Sequence, residues 1–331
     1  MSEAGRPAAK PRQALSPAGL LRKFGPLLGL LILCGALGAA SGRFLTADNL
    51  LNVFRQSAVN ALVSLGQLVV IITAGIDLSV GSILGLCCVM VALLMHAGVP
   101  PLIAVVAALA IGSALGAVNG LLLTRLHLPH PFIPTLGMMN VARGLALVVS
   151  GGFPISELPS GFRFWGAGSI GFIPAPVILV ALFCGAFYVF LSRTTIGRDI
   201  YAIGGNQQAA RLSGVPVDAR LVLAYALSGL TAAAGAVVLA GRMNSGFPLA
   251  GVGSELDSIA AVVIGGASFL GGVGTVSGTL VGVLIMGVLR NGLNLLNVSG
   301  AWQTVVIGIV IVAAVWVDIV RRRATERASA G

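Results

Sequence analysis

The hydrophobic positions of this chain fall into about ten long apolar runs separated by short polar stretches. A helix needs about 20 apolar residues to cross the hydrocarbon core of a bilayer. The runs cover 24–42, 57–74, 82–97, 101–124, 132–150, 171–192, 219–240, 257–268, 275–292 and 301–319, the eighth being short. They predict an all-α polytopic membrane protein, a bundle of about ten transmembrane helices. Residues 47–56 (ADNLLNVFRQ) are amphipathic and predict a segment lying at the membrane interface. Pro and Gly cluster between runs, as in Leu128-Pro129-His130-Pro131 and Gly151-Gly152-Phe153-Pro154.

Composition points the same way. Apolar residues make up 57% of the chain and charged residues 9%, with a mean hydropathy of +1.01. A soluble domain carries about 25% charged residues to cover its surface; lipid removes that need. The net charge of +10 does not mark a nucleic-acid protein, because Lys and Arg lie at segment ends rather than on one clustered face. Cys34, Cys87, Cys88 and Cys184 all sit in apolar stretches, form no C-x-x-C pair and read as small buried hydrophobes. The chain divides into a disordered cytoplasmic tail (1–23), a membrane domain (24–320) and a basic tail (321–331). The N-terminal apolar run is too long for a signal-peptide core and is followed by further spans.

Charge sets the orientation. With the N-terminus inside, the inner segments hold Arg6, Lys10, Arg12, Arg22, Lys23, Arg125, Arg193, Arg198, Arg211, Arg220, Arg321, Arg322, Arg323 and Arg327. Only Arg43, Arg55, Arg163, Arg242 and Arg290 fall outside, and Arg143 lies within a span. This bias predicts cytoplasmic termini and an even number of spans. An internal repeat also emerges at a shift of 193 residues. Val69-Val70-Ile71 overlays Val262-Val263-Ile264, and Val80-Gly81-Ser82 overlays Val273-Gly274-Thr275. Each copy reads as apolar segment, Gly-rich break, apolar segment. Paired breaks of this kind point to a translocation path, because freed backbone groups are tolerated only beside protein or water.

Chemistry is sparse. Lysine occurs only at 10 and 23, so no G-x-x-x-x-G-K-[ST] phosphate loop exists in the chain. No nucleophile elbow or carboxylate pair suggests hydrolysis. His96, His127 and His130 sit at segment ends, and none has an acidic neighbour in sequence that would complete a metal site. Glu255 and Asp257 suit a helix N-terminus. Asp77 lies between two apolar segments, where an ionisable group must be paired or wet. It is expected either to cap the third span or to contact the pathway. Arg143 is expected to snorkel or to line the path. The candidate pathway and gate residues are Asp77, Ser79, Gly81, Asn140, Arg143, Gly271 and Gly274.

The loop 193–218 is the longest predicted inside connection. Asn206 reads as an N-cap, Gln207 to Ser213 as two helical turns, Gly214 as the left-handed residue that ends them and Pro216 as a stop. At this point the chain resembles the permease subunits of ribose-type bacterial ATP-binding cassette importers. The likeness rests on Gly75-Ile76-Asp77-Leu78-Ser79-Val80-Gly81, on Pro134-Thr135-Leu136-Gly137 with Arg143-Gly144, on Ala202-Ile203-Gly204-Gly205-Asn206 through Gly214, and on Glu255 through Gly266. The resemblance implies a transport subunit of the inner membrane with no catalysis and no cofactor of its own, ATP and magnesium being bound by a partner. The implied partners are a cytoplasmic ATPase, an extracytoplasmic sugar-binding protein and a second permease copy. It also carries the family's coupling helix onto Asn206, Gln207, Ala209, Ala210, Arg211, Leu212 and Gly214. Within the resemblance, a related importer for an amino acid or a nucleoside is the alternative. An independent secondary transporter would need an ion relay within the spans, where charges are scarce.

Overall fold

The computed structural model describes residues 17–330, so most of the expected N-terminal tail lies outside the described residues. In chain order the elements are α1 (Pro17–Ala40), α2 (Ala47–Ile72), α3 (Val80–His96), α4 (Pro101–Arg125), α5 (Phe132–Ser150), β1 (Ile155–Ser156), α6 (Ser160–Ala167), β2 (Ser169–Ile170) and β3 (Ile173–Pro174). They continue with α7 (Ala175–Arg193), α8 (Thr195–Gly205), α9 (Gln207–Leu212), α10 (Val217–Met243), β4 (Ser245–Gly246), α11 (Ser254–Ile264), α12 (Val276–Leu295) and α13 (Gly300–Ala330). Each of the ten apolar runs contains a helix. Among the described residues α2, α4, α5, α7, α10 and α12 are long and apolar enough to cross a membrane, and α3, Gly25–Ala40 and Gly300–Ala313 are shorter apolar helices. The chain is an all-α, multi-pass membrane protein.

Residues 47–56 do not form a separate interfacial segment. They are the first turns of the 26-residue α2. The polar side that suggested an interface is used inside the bundle: Asn49 and Asn291 of α12 exchange amide hydrogen bonds (3.0 and 2.9 Å). Such pairs satisfy polar groups that lipid cannot.

Helices α2 and α10 form the centre, with 83% and 72% of their apolar windows buried; α4 and α7 are peripheral at 22%. Small residues set the closest approach. Gly112, Gly116 and Gly120 of α4 place their α-carbons against Gly229, Tyr225 and Val222 of α10, and a methyl on any of the three would overlap α10 backbone. Without a hydrophobic drive between helices in lipid, this close backbone contact is what holds them together.

Two shorter helices, α3 and α11, each follow a non-helical break. The chain leaves α2 at Ile72, turns through non-helical residues 73–79, with Ala74 at φ +61°, and only then starts α3. It leaves α10 at Met243, runs through 244–253 and then starts α11. Helix α11 has 11 residues, roughly 17 Å at 1.5 Å per residue, about half of the ~30 Å hydrocarbon core. It ends at the break 265–275, where Gly272 N–H donates to the Ile72 carbonyl at the end of α2 (2.8 Å). Its start is therefore inside the bundle.

Candidate functional site

The two half-helices meet. Segment 245–255 runs antiparallel along α3. Gly246 packs on Cys88 and Ala92, the Pro248 and Ala250 carbonyls face Gly85, and Gly251 lies on Gly81. Gly81 and Gly251 cross backbone to backbone, so a Cβ on either would collide with the other's carbonyl. Gly251 also sits at φ +75°, a region that favours glycine.

Non-helical backbone inside a membrane must find its partners in protein, and both segments do. In 73–79, Ser228 Oγ of α10 donates to Asp77 Oδ2 (2.8 Å), while Ser79 N–H and Oγ donate to Oδ1 (2.9 and 2.6 Å). Asn119 of α4 donates to Ser79 Oγ (2.8 Å). The Gln67 amide, turned so that its nitrogen faces the Asp77 carbonyl, donates there and accepts from Asp77 N–H (3.1 and 3.3 Å). Thr135 and Tyr225 hydroxyls both reach the Ile76 carbonyl (3.4 Å each). In 244–253, Arg143 of α5 donates to the carbonyls of Pro248 and Ala250 (3.1 Å each), and Glu255 Oε1 accepts from Gly253 N–H (3.2 Å). The other Glu255 oxygen lies against Gly81, in the first turn of α3, with no hydrogen-bond partner. That carboxylate stands at two helix N-termini, whose partial positive charges favour an anion.

The loop 193–218 is also built. Thr194 caps α8 by accepting from Gly197 N–H (3.0 Å). Asn206 caps α9 by accepting from Ala209 N–H (2.9 Å), and Gly214 takes φ +84° behind it. Ion pairs Asp199–Arg220 (2.8 Å) and Arg211–Asp218 (2.6 Å) tie the loop to α10. Helix α8 reaches the end of α2 and the break 265–275. Gly204 abuts the Ile72 carbonyl and Gly272 N, and Tyr201 OH donates to the Gly274 carbonyl (2.7 Å).

Known proteins place this architecture. The family described as branched-chain amino acid transport system / permease component matches residues 49–315. The chain belongs to this permease family. It is 47% identical to the ribose import permease protein RbsC of Bacillus subtilis over 91% of the chain and 94% of that protein. It is 43% identical to RbsC of Escherichia coli K12 (88% and 92%) and 41% identical to the D-allose transport system permease protein AlsC of the same strain (89% and 91%). No solved structure matches it.

The permease gathers some of the expected site residues and separates others. Asp77 and Ser79 are fully buried and hold the α3 entrance rather than facing a surface. Asp77 does not cap α3: the capping position is Ser79, whose side chain makes no cap bond, and Asp77 closes the turn before it. Arg143 does not snorkel; the carbonyls of Pro248 and Ala250, in the turns before α11, accept from it. Asn140 is exposed and donates one turn back to the Leu136 carbonyl (2.9 Å). Gly81 lies at the crossing. Gly271 and Gly274 lie at the far end, against Ala74 and against Leu68 and Ile72 respectively. Gly251, Glu255, Gln67, Asn119 and Ser228 belong to the crossing and were not expected from the sequence. In the loop, Ala210 is buried against Ile203, Val217 and Leu221, so its side chain faces the bundle, whereas Arg211 stays exposed while pairing with Asp218. Asn206, Gln207, Ala209, Leu212 and Gly214 are exposed.

Asp77→Ala strands three buried donors, each worth about 1–3 kcal/mol. The expected loss of at least about 3 kcal/mol would appear as a lowered unfolding midpoint in detergent, with Asp77→Asn less affected.

Proposed function

We propose that this permease is the membrane-spanning subunit of an ATP-binding cassette importer for a monosaccharide, ribose being the first sugar to test. The observation that carries the reading is the connected lever on one end of the bundle. Helix α9 exposes Gln207, Gln208, Ala209 and Leu212, is capped at both ends, and adjoins α8, which touches the end of α2 and the break 265–275. A partner seated on α9 could therefore move the breaks through rigid contacts. The names of the relatives, ribose and allose permeases at 41–47% identity, support the substrate class.

In this reading the chain hydrolyses nothing. The partner ATPase holds ATP and magnesium, a soluble extracytoplasmic protein delivers the sugar, and a second permease copy completes the path. Both termini and the loop 193–218 are cytoplasmic, as the Lys and Arg distribution supports. Reporter fusions at Gly152 and Ser213 are expected on opposite faces, with Ser213 inside; both on one face would end this topology. Co-expression with the partner ATPase is expected to yield a complex that survives purification. An ATPase that never associates with the permease would overturn the proposal.

A further inference from the structure

A second polar feature adjoins the crossing on the α11 side, on the half of the bundle remote from the 193–218 loop. A cavity of about 160 Å³ opens there between α2, α10, α11 and α12. Its polar lining includes Ser57, Asn60, Arg242, Ser254, Asp257 and Arg290. Asp257 and Arg290 form an ion pair of 2.7 Å with the Arg290 side chain 48% exposed. Charged side chains are rarely left facing lipid, and with Asp257 in the first turn of α11 and Arg290 near the end of α12 this face borders water or protein. Ser57 Oγ supplies the second observation. Ser57 is 6% exposed, its hydroxyl has no hydrogen-bond partner, and it lies against Gly287 on the cavity wall. A buried hydroxyl without a partner carries a desolvation cost of about 1–3 kcal/mol that a ligand bond would recover.

We infer that this cavity is a sugar-contact station on the outer half of the translocation path, an inference that rests on the importer reading above. The chemistry suits a neutral polyhydroxylated solute. Each sugar hydroxyl both donates and accepts, and the cavity offers donors (the two arginines), acceptors (Asp257) and groups that do both (Ser57, Ser254, the Asn60 amide). Because Asp257 already neutralises Arg290, hydroxyls can bond to the pair without breaking it. Its place on the half opposite the ATPase loop makes it a station met early by an incoming sugar.

The test uses the full-length permease with Asn60→Cys, assembled with its ATPase and binding protein in cells. They are treated from outside with 2-sulfonatoethyl methanethiosulfonate, a charged reagent that does not enter lipid. The modification is made after folding, so assembly is not at issue. Labelling read by mass, with ribose uptake falling at least tenfold, is expected. The wild-type chain sets the baseline, and Ile309→Cys, on the exposed face of α13, should stay unlabelled. An inert Asn60→Cys, or a labelled one that still transports at the unmodified rate, overturns the station. A wild-type complex that binds its ATPase yet moves no sugar overturns the monosaccharide reading and the station with it.

Discussion

Ala209→Glu is expected to lower ATP-driven uptake at least tenfold while the permease still inserts, with the ATPase either released or hydrolysing without transport. Ala209 is exposed on α9, and a long charged side chain there enters whatever groove receives the helix. The cost falls on the interface alone, because the cap bond from Asn206 uses the backbone of residue 209, not its side chain. Ala210→Glu is the informative contrast. Ala210 is 5% exposed, so a buried, unpaired carboxylate should destabilise the loop itself. Thermal unfolding should separate the two: near wild type for Ala209→Glu, clearly lower for Ala210→Glu. Normal uptake and co-purification with Ala209→Glu would remove α9 as the coupling element.

Gly81→Val is the second variant with a large expected effect. Even a methyl at Gly81 overlaps the Gly251 carbonyl and the Glu255 carboxylate, and the backbone carbonyl cannot withdraw easily. The carbonyl belongs to a backbone that Arg143 holds at the preceding residue, Ala250, and at Pro248. Overpacking of this kind costs about 1–3 kcal/mol. Here it also pushes apart the two half-helices. Uptake is expected below about a tenth of wild type with membrane insertion retained. Gly185→Val, where nothing lies within 4 Å, serves as control and should transport normally. A Gly81→Val permease with unimpaired uptake would show that the crossing does not govern transport.

The bundle was legible because lipid demands long apolar runs, and each run did become a helix. The α9 knob was legible too, since Asn206, Gly214 and Pro216 act through local backbone rules that spacing reveals. The crossing was only half legible. The break at 73–79 announced itself by Asp77 between apolar segments. The break at 244–253 did not, because Gly251-Val252-Gly253 and Ser254 read as an ordinary polar loop before a span. What makes it a re-entrant segment is contact with Gly81, Gly85 and Arg143, more than 100 residues away. Helix α8 was not expected from the sequence; Gly204 near its end is there because Ile72 and Gly272 leave no room for a side chain. The buried trio Gly197, Ile200 and Ile203 was a three-residue spacing that could have signalled the helix. So could the four-residue spacing of Gly112, Gly116 and Gly120 have signalled the α4–α10 contact. The 193-residue repeat joined breaks that do touch, at Ala74 and Gly271, yet Gly81 and Gly274 hold different places in the bundle.

The most direct measurement is radiolabelled ribose uptake into proteoliposomes holding the permease with or without its ATPase, supplied with the binding protein outside and ATP inside. The account predicts uptake that requires both the ATPase and hydrolysable ATP, and that a proton or sodium gradient cannot replace. Uptake by the permease alone, driven by an ion gradient and indifferent to ATP, would contradict it.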